Sequence, residues 1–196
     1  MEKNLDIVIL SGPQGSGKTS TAQAIAIKAH KDYDRVFKLK FADTIYVLHD
    51  TLLDRMEVLT GIPRVEKDGL LLQLLGTEWG RKKHGENVRI DAVKHKIAEL
   101  ASRFKEREKY LVIIDDCRFP NEFDAFPEAL RVRLTASEDV RKARTVSWRE
   151  NTKHPSETSL DDREDDFDLL LLTEEPSTPE KCAAVILSAL KTFLRG

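Results

Sequence analysis

The sequence predicts a three-layer α/β/α domain built on a parallel sheet of five strands. One observation is its rhythm: five short apolar runs, Asp6–Leu10, Val36–Phe41, Tyr110–Ile114, Leu130–Leu134 and Asp168–Leu172, alternate with segments long enough to hold helices. Runs that are apolar on both faces suit parallel strands, which are covered on both sides. A second observation is that the first run leads at once into a glycine-rich turn and then a helical stretch at Thr19–His30, the order strand, turn, helix of a phosphate-binding loop. A third is size: 196 residues, 40% hydrophobic and 34% charged, suffice for one core of ordinary dimensions, and no linker or repeat divides them. One domain spanning residues 1–196 is therefore expected.

The helices can be justified by spacing. Ile45, Leu48, Leu52, Met56 and Leu59 recur at intervals of three or four, as do Val93, Ile97, Leu100, Ala101 and Phe104, so each segment has one apolar face. Near the C-terminus Ser177 or Thr178 can cap a helix opened by Pro179, with Glu180 placed for a capping box behind Ser177. Its stripe is Cys182, Val185, Ile186, Ala189, Leu190 and Phe193, which makes Cys182 a small core residue.

Composition excludes several functions. The 32 Lys and Arg against 34 Asp and Glu give a net charge of −2, which provides no global field for nucleic acid or an acidic membrane surface. No run approaches the roughly 18 apolar residues of a membrane span, and the charged N-terminus is unlike a signal peptide, so a cytoplasmic location is expected. Two cysteines, Cys117 and Cys182, are too few for a disulfide framework and lack zinc-site spacing; they read as reduced thiols. Charge is nevertheless uneven. A basic segment from Arg131 to Lys153 is followed by an acidic one from Glu157 to Asp168, which reads as a solvated loop without chemistry.

Gly12-Pro13-Gln14-Gly15-Ser16-Gly17-Lys18-Thr19 fits G-x-x-x-x-G-K-[ST] in full and makes the expected fold a P-loop NTPase. In such a loop the backbone N–H groups turn inward, the helix N-terminus adds positive potential, and the lysine supplies a mobile point charge. The candidate ATP contacts are Gly12, Gln14, Gly15, Ser16, Gly17, Lys18, Thr19 and Ser20, with the Thr19 hydroxyl toward Mg²⁺. No Asn-Lys-x-Asp string for guanine is present. The small size and the late basic segment favour a kinase, with a lid at about 137–153 whose Arg141 and Arg144 share a helix face and close on the phosphates.

A second string, Ile113-Ile114-Asp115-Asp116-Cys117-Arg118, runs from a buried strand into two carboxylates and an arginine at the edge where open α/β sheets bind ligands. Either aspartate, Asp115 or Asp116, can orient Mg²⁺ or take a proton, and Arg118 can grip a phosphate through its planar fork.

Taken together, the P-loop, Phe41-Ala42-Asp43, Leu75-Gly76-Thr77-Glu78-Trp79-Gly80-Arg81, Asp116-Cys117-Arg118-Phe119-Pro120-Asn121-Glu122 and His154-Pro155-Ser156-Glu157 resemble the phage-type deoxynucleoside monophosphate kinases over nearly the whole chain. The resemblance implies a nucleoside-monophosphate-kinase-like fold that uses ATP and Mg²⁺ to convert a deoxynucleoside monophosphate to its diphosphate. It makes Arg118 the leading acceptor-phosphate ligand, with Asp116 beside it, and a segment of about 41–90 the acceptor pocket. There Phe41 and Trp79 would stack on a base, Asp43 and Glu78 would accept from its edge or a sugar hydroxyl, and Arg81 would reach the phosphate, with His154 and Glu157 as further contacts. The partner expected is thus a small molecule, with a homodimer left open. The alternatives are a P-loop kinase for another small acceptor and a nucleotide-binding module without turnover.

Overall fold

In the computed structural model the described residues are 4–103, 105, 107–145, 148 and 155–194, without the side chains of 155 and 156. In chain order the elements are β1 (Leu5–Ser11), α1 (Lys18–Ala29), β2 (Arg35–Leu39), α2 (Asp43–Thr60), α3 (Gly69–Gln73), a π-helix (Leu74–Arg81), α4 (Lys82–His84) and α5 (Val88–Ser102). They continue with β3 (Tyr110–Cys117), α6 (Pro120–Asp124), β4 (Leu130–Thr135), α7 (Glu138–Ala143), α8 (Pro155–Thr158), a 3₁₀ helix (Asp161–Asp166), β5 (Leu169–Leu172) and α9 (Pro179–Phe193). The chain divides into two compact units, residues 40–101 forming one and the rest the other.

The larger unit holds the sheet. Its strands are all parallel, in the order β2-β3-β1-β4-β5, with Leu5 opposite Tyr110 on one side of β1 and Val8 opposite Leu130 on the other. Each predicted strand forms within a residue or two of its expected ends, except that β3 runs three residues further, to Cys117. Val8, Leu10, Leu111, Ile113, Val132 and Leu134 turn one face of the sheet to a core completed by Ala22 and Ile25 of α1 and Ala183, Ile186 and Leu190 of α9. The alternate residues Ile7, Ile9, Val112 and Ile114 are buried as well, so the central strands are covered on both faces, as near-continuous apolar runs require.

The C-terminal helix corrects one detail. Thr178 caps α9, its hydroxyl accepting from the Lys181 N–H at 3.3 Å, so the capping box behind Ser177 does not define the helix start. Cys182 is buried as expected, but Val185 and Phe193 lie at the exposed margin of the stripe while Ala183 and Leu187 take core positions.

The smaller unit is helical. Its α2 spans the whole predicted stripe, yet Leu52, Met56 and Leu59 of that stripe are exposed, and the buried residue of this helix is His49. His49 Nε2 accepts from the Asp68 N–H at 3.0 Å and Nδ1 meets Asp50 at 2.9 Å, tying the segment after α2 back onto the helix. Arg64 adds a fork to Asp50 and Asp54. The Leu75–Arg81 string forms most of the π-helix, a rare conformation in which each N–H reaches five residues back. Gly80 is required there: a Cβ at this position would stand 2.4 Å from the Leu75 carbonyl oxygen. Among the described residues no helix is long and apolar enough to cross a membrane.

Candidate active site

The loop between β1 and α1 has the backbone its glycines permit. Gly12, Gly15 and Gly17 adopt φ of 141°, 78° and 84°, which other residues avoid. Gly15 also has no room for a side chain, since a Cβ would lie 2.6 Å from the Arg141 carbonyl oxygen. The backbone of α7 thus closes one side of the loop. Lys18 Nζ donates to the carbonyls of Gly12 (2.7 Å) and Pro13 (2.8 Å), which folds the lysine back across the loop mouth. Its pKa is lowered to about 8, first by removal from water and then by Arg118, while Glu157, Asp115 and Asp116 act in the opposite sense. Thr19 and Ser20 are exposed on the first turn of α1.

At the end of β3, on the strand beside β1, Asp115 is buried and Asp116 half-buried. Cys117 is buried too, and its thiol is pushed up by burial and by the neighbouring Glu122 and Asp116. Glu122 shapes the turn beyond the strand: its carboxylate accepts from the N–H groups of Arg118 (3.0 Å) and Phe119 (3.2 Å), fixing the backbone from which Arg118 projects. The Arg118 guanidinium is paired with Glu157, whose other oxygen accepts from the Gln14 N–H at 2.6 Å. One carboxylate therefore links the phosphate loop to the arginine after β3.

Of the expected lid arginines, Arg141 is bonded to the same loop and Arg144 to Thr173 beside it. Arg141 donates to the Ala136 carbonyl (3.2 Å) and the Gln14 carbonyl (3.3 Å), and its guanidinium lies over Trp148, 5.5 Å from the ring centre. Arg144 donates to the hydroxyl (3.1 Å) and carbonyl (2.8 Å) of Thr173. The rest of the expected lid beyond Thr145, apart from Trp148, lies outside the described residues.

Sequence reasoning missed Thr173. This buried residue follows β5, and its hydroxyl lies 3.0 Å from the Ser16 carbonyl and 3.1 Å from that of Thr135, bracing the loop from behind. Only its place at the carboxyl end of a strand marks it. The acidic segment is also corrected. Besides Glu157, Asp161 pairs with Arg133, Asp168 accepts from the Arg131 N–H at 2.7 Å, and Arg163 forks onto Asp124 at 2.9 Å. Much of the run is thus cross-linking structure, tied to β4 through the Arg133 side chain and the Arg131 N–H and to α6 through Asp124.

Of the expected acceptor residues, Phe41, Asp43, Glu78, Trp79 and Arg81 belong to the smaller unit, and Arg118 and Glu157 to the larger. Phe41 is buried, and Asp43 accepts from the Lys40 N–H at 2.9 Å. Glu78 and Trp79 are exposed on the π-helix, Glu78 pairing with Lys82 at 2.7 Å and Trp79 packing edge-on against His84 at 4.4 Å between centroids. Arg81 is 4.0 Å from Glu86. His154 lies outside the described residues. Among the described residues no group of three or more His, Cys, Asp or Glu is set to hold a metal ion. A hydroxyl on α1 and carboxylates on β3 remain the hard oxygen donors that suit Mg²⁺, which binds through few protein ligands when phosphates supply the rest.

A parallel sheet with a glycine-rich loop between β1 and α1, and carboxylates ending the adjacent strand, defines a P-loop NTPase. Residues 8–141 match the model of the ATPase family associated with various cellular activities (AAA), and the chain belongs to that family. No curated protein sequence matches it. Among solved structures it is similar to TT1252 from Thermus thermophilus, at 17% identity and a TM-score of 0.56, covering 99% of this chain and 100% of that one. It is also similar to shikimate kinase from Acinetobacter baumannii in complex with shikimate, at 16% identity and 0.47, covering 97% and 95%. A sugar kinase from Janibacter sp. HTCC2649 follows at 19% and 0.44, covering 95% of each chain. At these identities the likeness to TT1252 concerns the fold alone.

Proposed function

We propose that this protein is an ATP-dependent phosphotransferase whose acceptor is a deoxynucleoside monophosphate. The observation that carries the reading is the convergence of Arg118 and the phosphate loop on one carboxylate, that of Glu157. A hydrolase needs its cations around one polyphosphate, whereas transfer between two phosphates needs a second cation that holds the acceptor opposite the γ-phosphoryl group. Arg118 occupies that role. An acceptor phosphate oxygen attacks the γ-phosphorus in line, the bond from that phosphorus to the β,γ-bridging oxygen breaks, and ADP leaves with the electron pair.

Lys18 and the loop N–H groups neutralise charge on the transferred group, and Arg118 offsets repulsion between the two anions. Glu122 positions Arg118 through the backbone. Arg141 and Arg144 lie close enough to the loop to add positive potential. Thr19 and one of Asp115 and Asp116 would hold Mg²⁺, which draws charge from the phosphate oxygens when bound. The nucleotide nature of the acceptor rests on the resemblance of the Leu75–Arg81 and Asp116–Glu122 strings.

A second reading, an ATPase without an acceptor, is favoured by the family match. Incubation with ATP, Mg²⁺ and a panel of ribo- and deoxynucleoside monophosphates separates the two. ADP formed only with a deoxynucleoside monophosphate is the expected result, and Arg118→Ala should damage use of the acceptor far more than binding of ATP. Release of phosphate regardless of acceptor would favour the second reading.

A further inference from the structure

We propose that Glu157 is a built-in anion that holds a phosphate position at the mouth of the loop and is exchanged for a phosphoryl group when a polyphosphate binds. This needs the loop to bind phosphate and does not depend on the acceptor being a nucleotide.

The Glu157 side chain is 16% exposed, enough to leave and too little to be a solvated surface charge. One of its oxygens takes the Gln14 N–H at 2.6 Å, a backbone donor of the P-loop itself. The other takes the Arg118 guanidinium. A carboxylate that receives a loop N–H and a guanidinium together has the donor set of a phosphoryl oxygen. Its charge also acts on Lys18. Without Glu157, only Asp115 and Asp116 would offset the repulsion between Lys18 and Arg118, which is felt more strongly where Lys18 is removed from water. Glu157, paired with Arg118, reduces that cost while no ligand is present, and the cost rises if Glu157 departs without replacement. Glu157 is thus a positioning residue. It keeps the Arg118 fork aimed at the loop, and it raises the threshold an anion must pass to bind.

The test uses tripolyphosphate, which needs neither base nor turnover. Calorimetric titration of the full chain should show Glu157→Gln binding it about tenfold more tightly than the parent, since the competing charge is gone while the side chain keeps its size. Unchanged or weaker binding would overturn the proposal, because it would make Glu157 a bystander or a ligand contact. Hydrogen exchange on the unaltered protein gives an independent reading should the variant fold poorly. Tripolyphosphate should slow exchange across 12–20 and speed it across 157–160, where the Glu157 tether is released. Slower exchange in both stretches would mean that Glu157 stays in place beside the ligand, and the proposal would fall. A polyphosphate that binds as expected while every monophosphate fails as acceptor would leave this inference standing and sink only the kinase reading.

Discussion

Lys18 carries two tasks that conflict, and the conflict is measurable. It must be charged to serve a phosphate, yet burial and Arg118 push its pKa down to about 8 in the ligand-free protein. An anion at the loop favours the charged form, so binding has to bring the proton back. Above about pH 8 the free protein has lost that proton, and affinity for ATP should decline as pH rises, with net proton uptake on binding. Calorimetry in buffers of different ionisation enthalpy at pH 8.5 checks this, and an absence of uptake would mean that Lys18 remains charged. Lys18→Ala should lower turnover on the order of a thousandfold while leaving the core intact. The lysine was legible from the motif alone, because the spacing of glycines, lysine and threonine states the chemistry. Thr173 was not, since its role depends on a long-range meeting with Ser16 that no local pattern records.

Elements differ in how far local sequence determines them. The five strands read true because parallel strands buried on both faces leave continuous apolar runs. α2 also read true as a helix, but periodicity reports an apolar face without saying whether that face is covered, and Leu52, Met56 and Leu59 are exposed. The π-helix was invisible, since Leu74–Arg81 has no pattern that separates five-residue from four-residue pairing. Gly80 offers a test in which two effects oppose. In an α-helix Gly→Ala stabilises by about 1 kcal/mol. Here the added methyl would lie 2.4 Å from the Leu75 carbonyl oxygen. The clash should win, and Gly80→Ala should destabilise the protein by about 1–3 kcal/mol, as overpacking does elsewhere. Urea unfolding gives the sign; a stabilised variant would show that the π-helix relaxes to α without loss.

At the scale of the molecule, the site in the larger unit is gathered at one edge of the sheet, where β1, β3, β4 and β5 end in the loop, Asp115 to Arg118, α7 and Thr173. The alternation of strands and helices made that edge predictable, since open parallel sheets bind ligands where their strands end; which arginine meets which carboxylate was not, as the links from Glu157 show. The two thiols of this unit report on its cooperativity. Cys117 ends β3 and Cys182 lies in α9, both buried. Neither should react with iodoacetamide at pH 8 in the folded protein, and in mild urea both should become alkylated at one common rate if the unit opens as a whole. Separate rates, followed by mass spectrometry, would show α9 opening alone. The parallel pairing of β1 has a further consequence for how the chain acquires its structure. Leu5 finds Tyr110 only after roughly a hundred intervening residues have been brought round, a long closure that slows folding. Residues 40–101 lie wholly inside that span and form a compact unit of their own. If they collapse first, the distance the first strand must search is shortened. On the ribosome, the phosphate loop is made before the helical unit, and β1 gains its flanking strands β3 and β4 only after that unit has emerged.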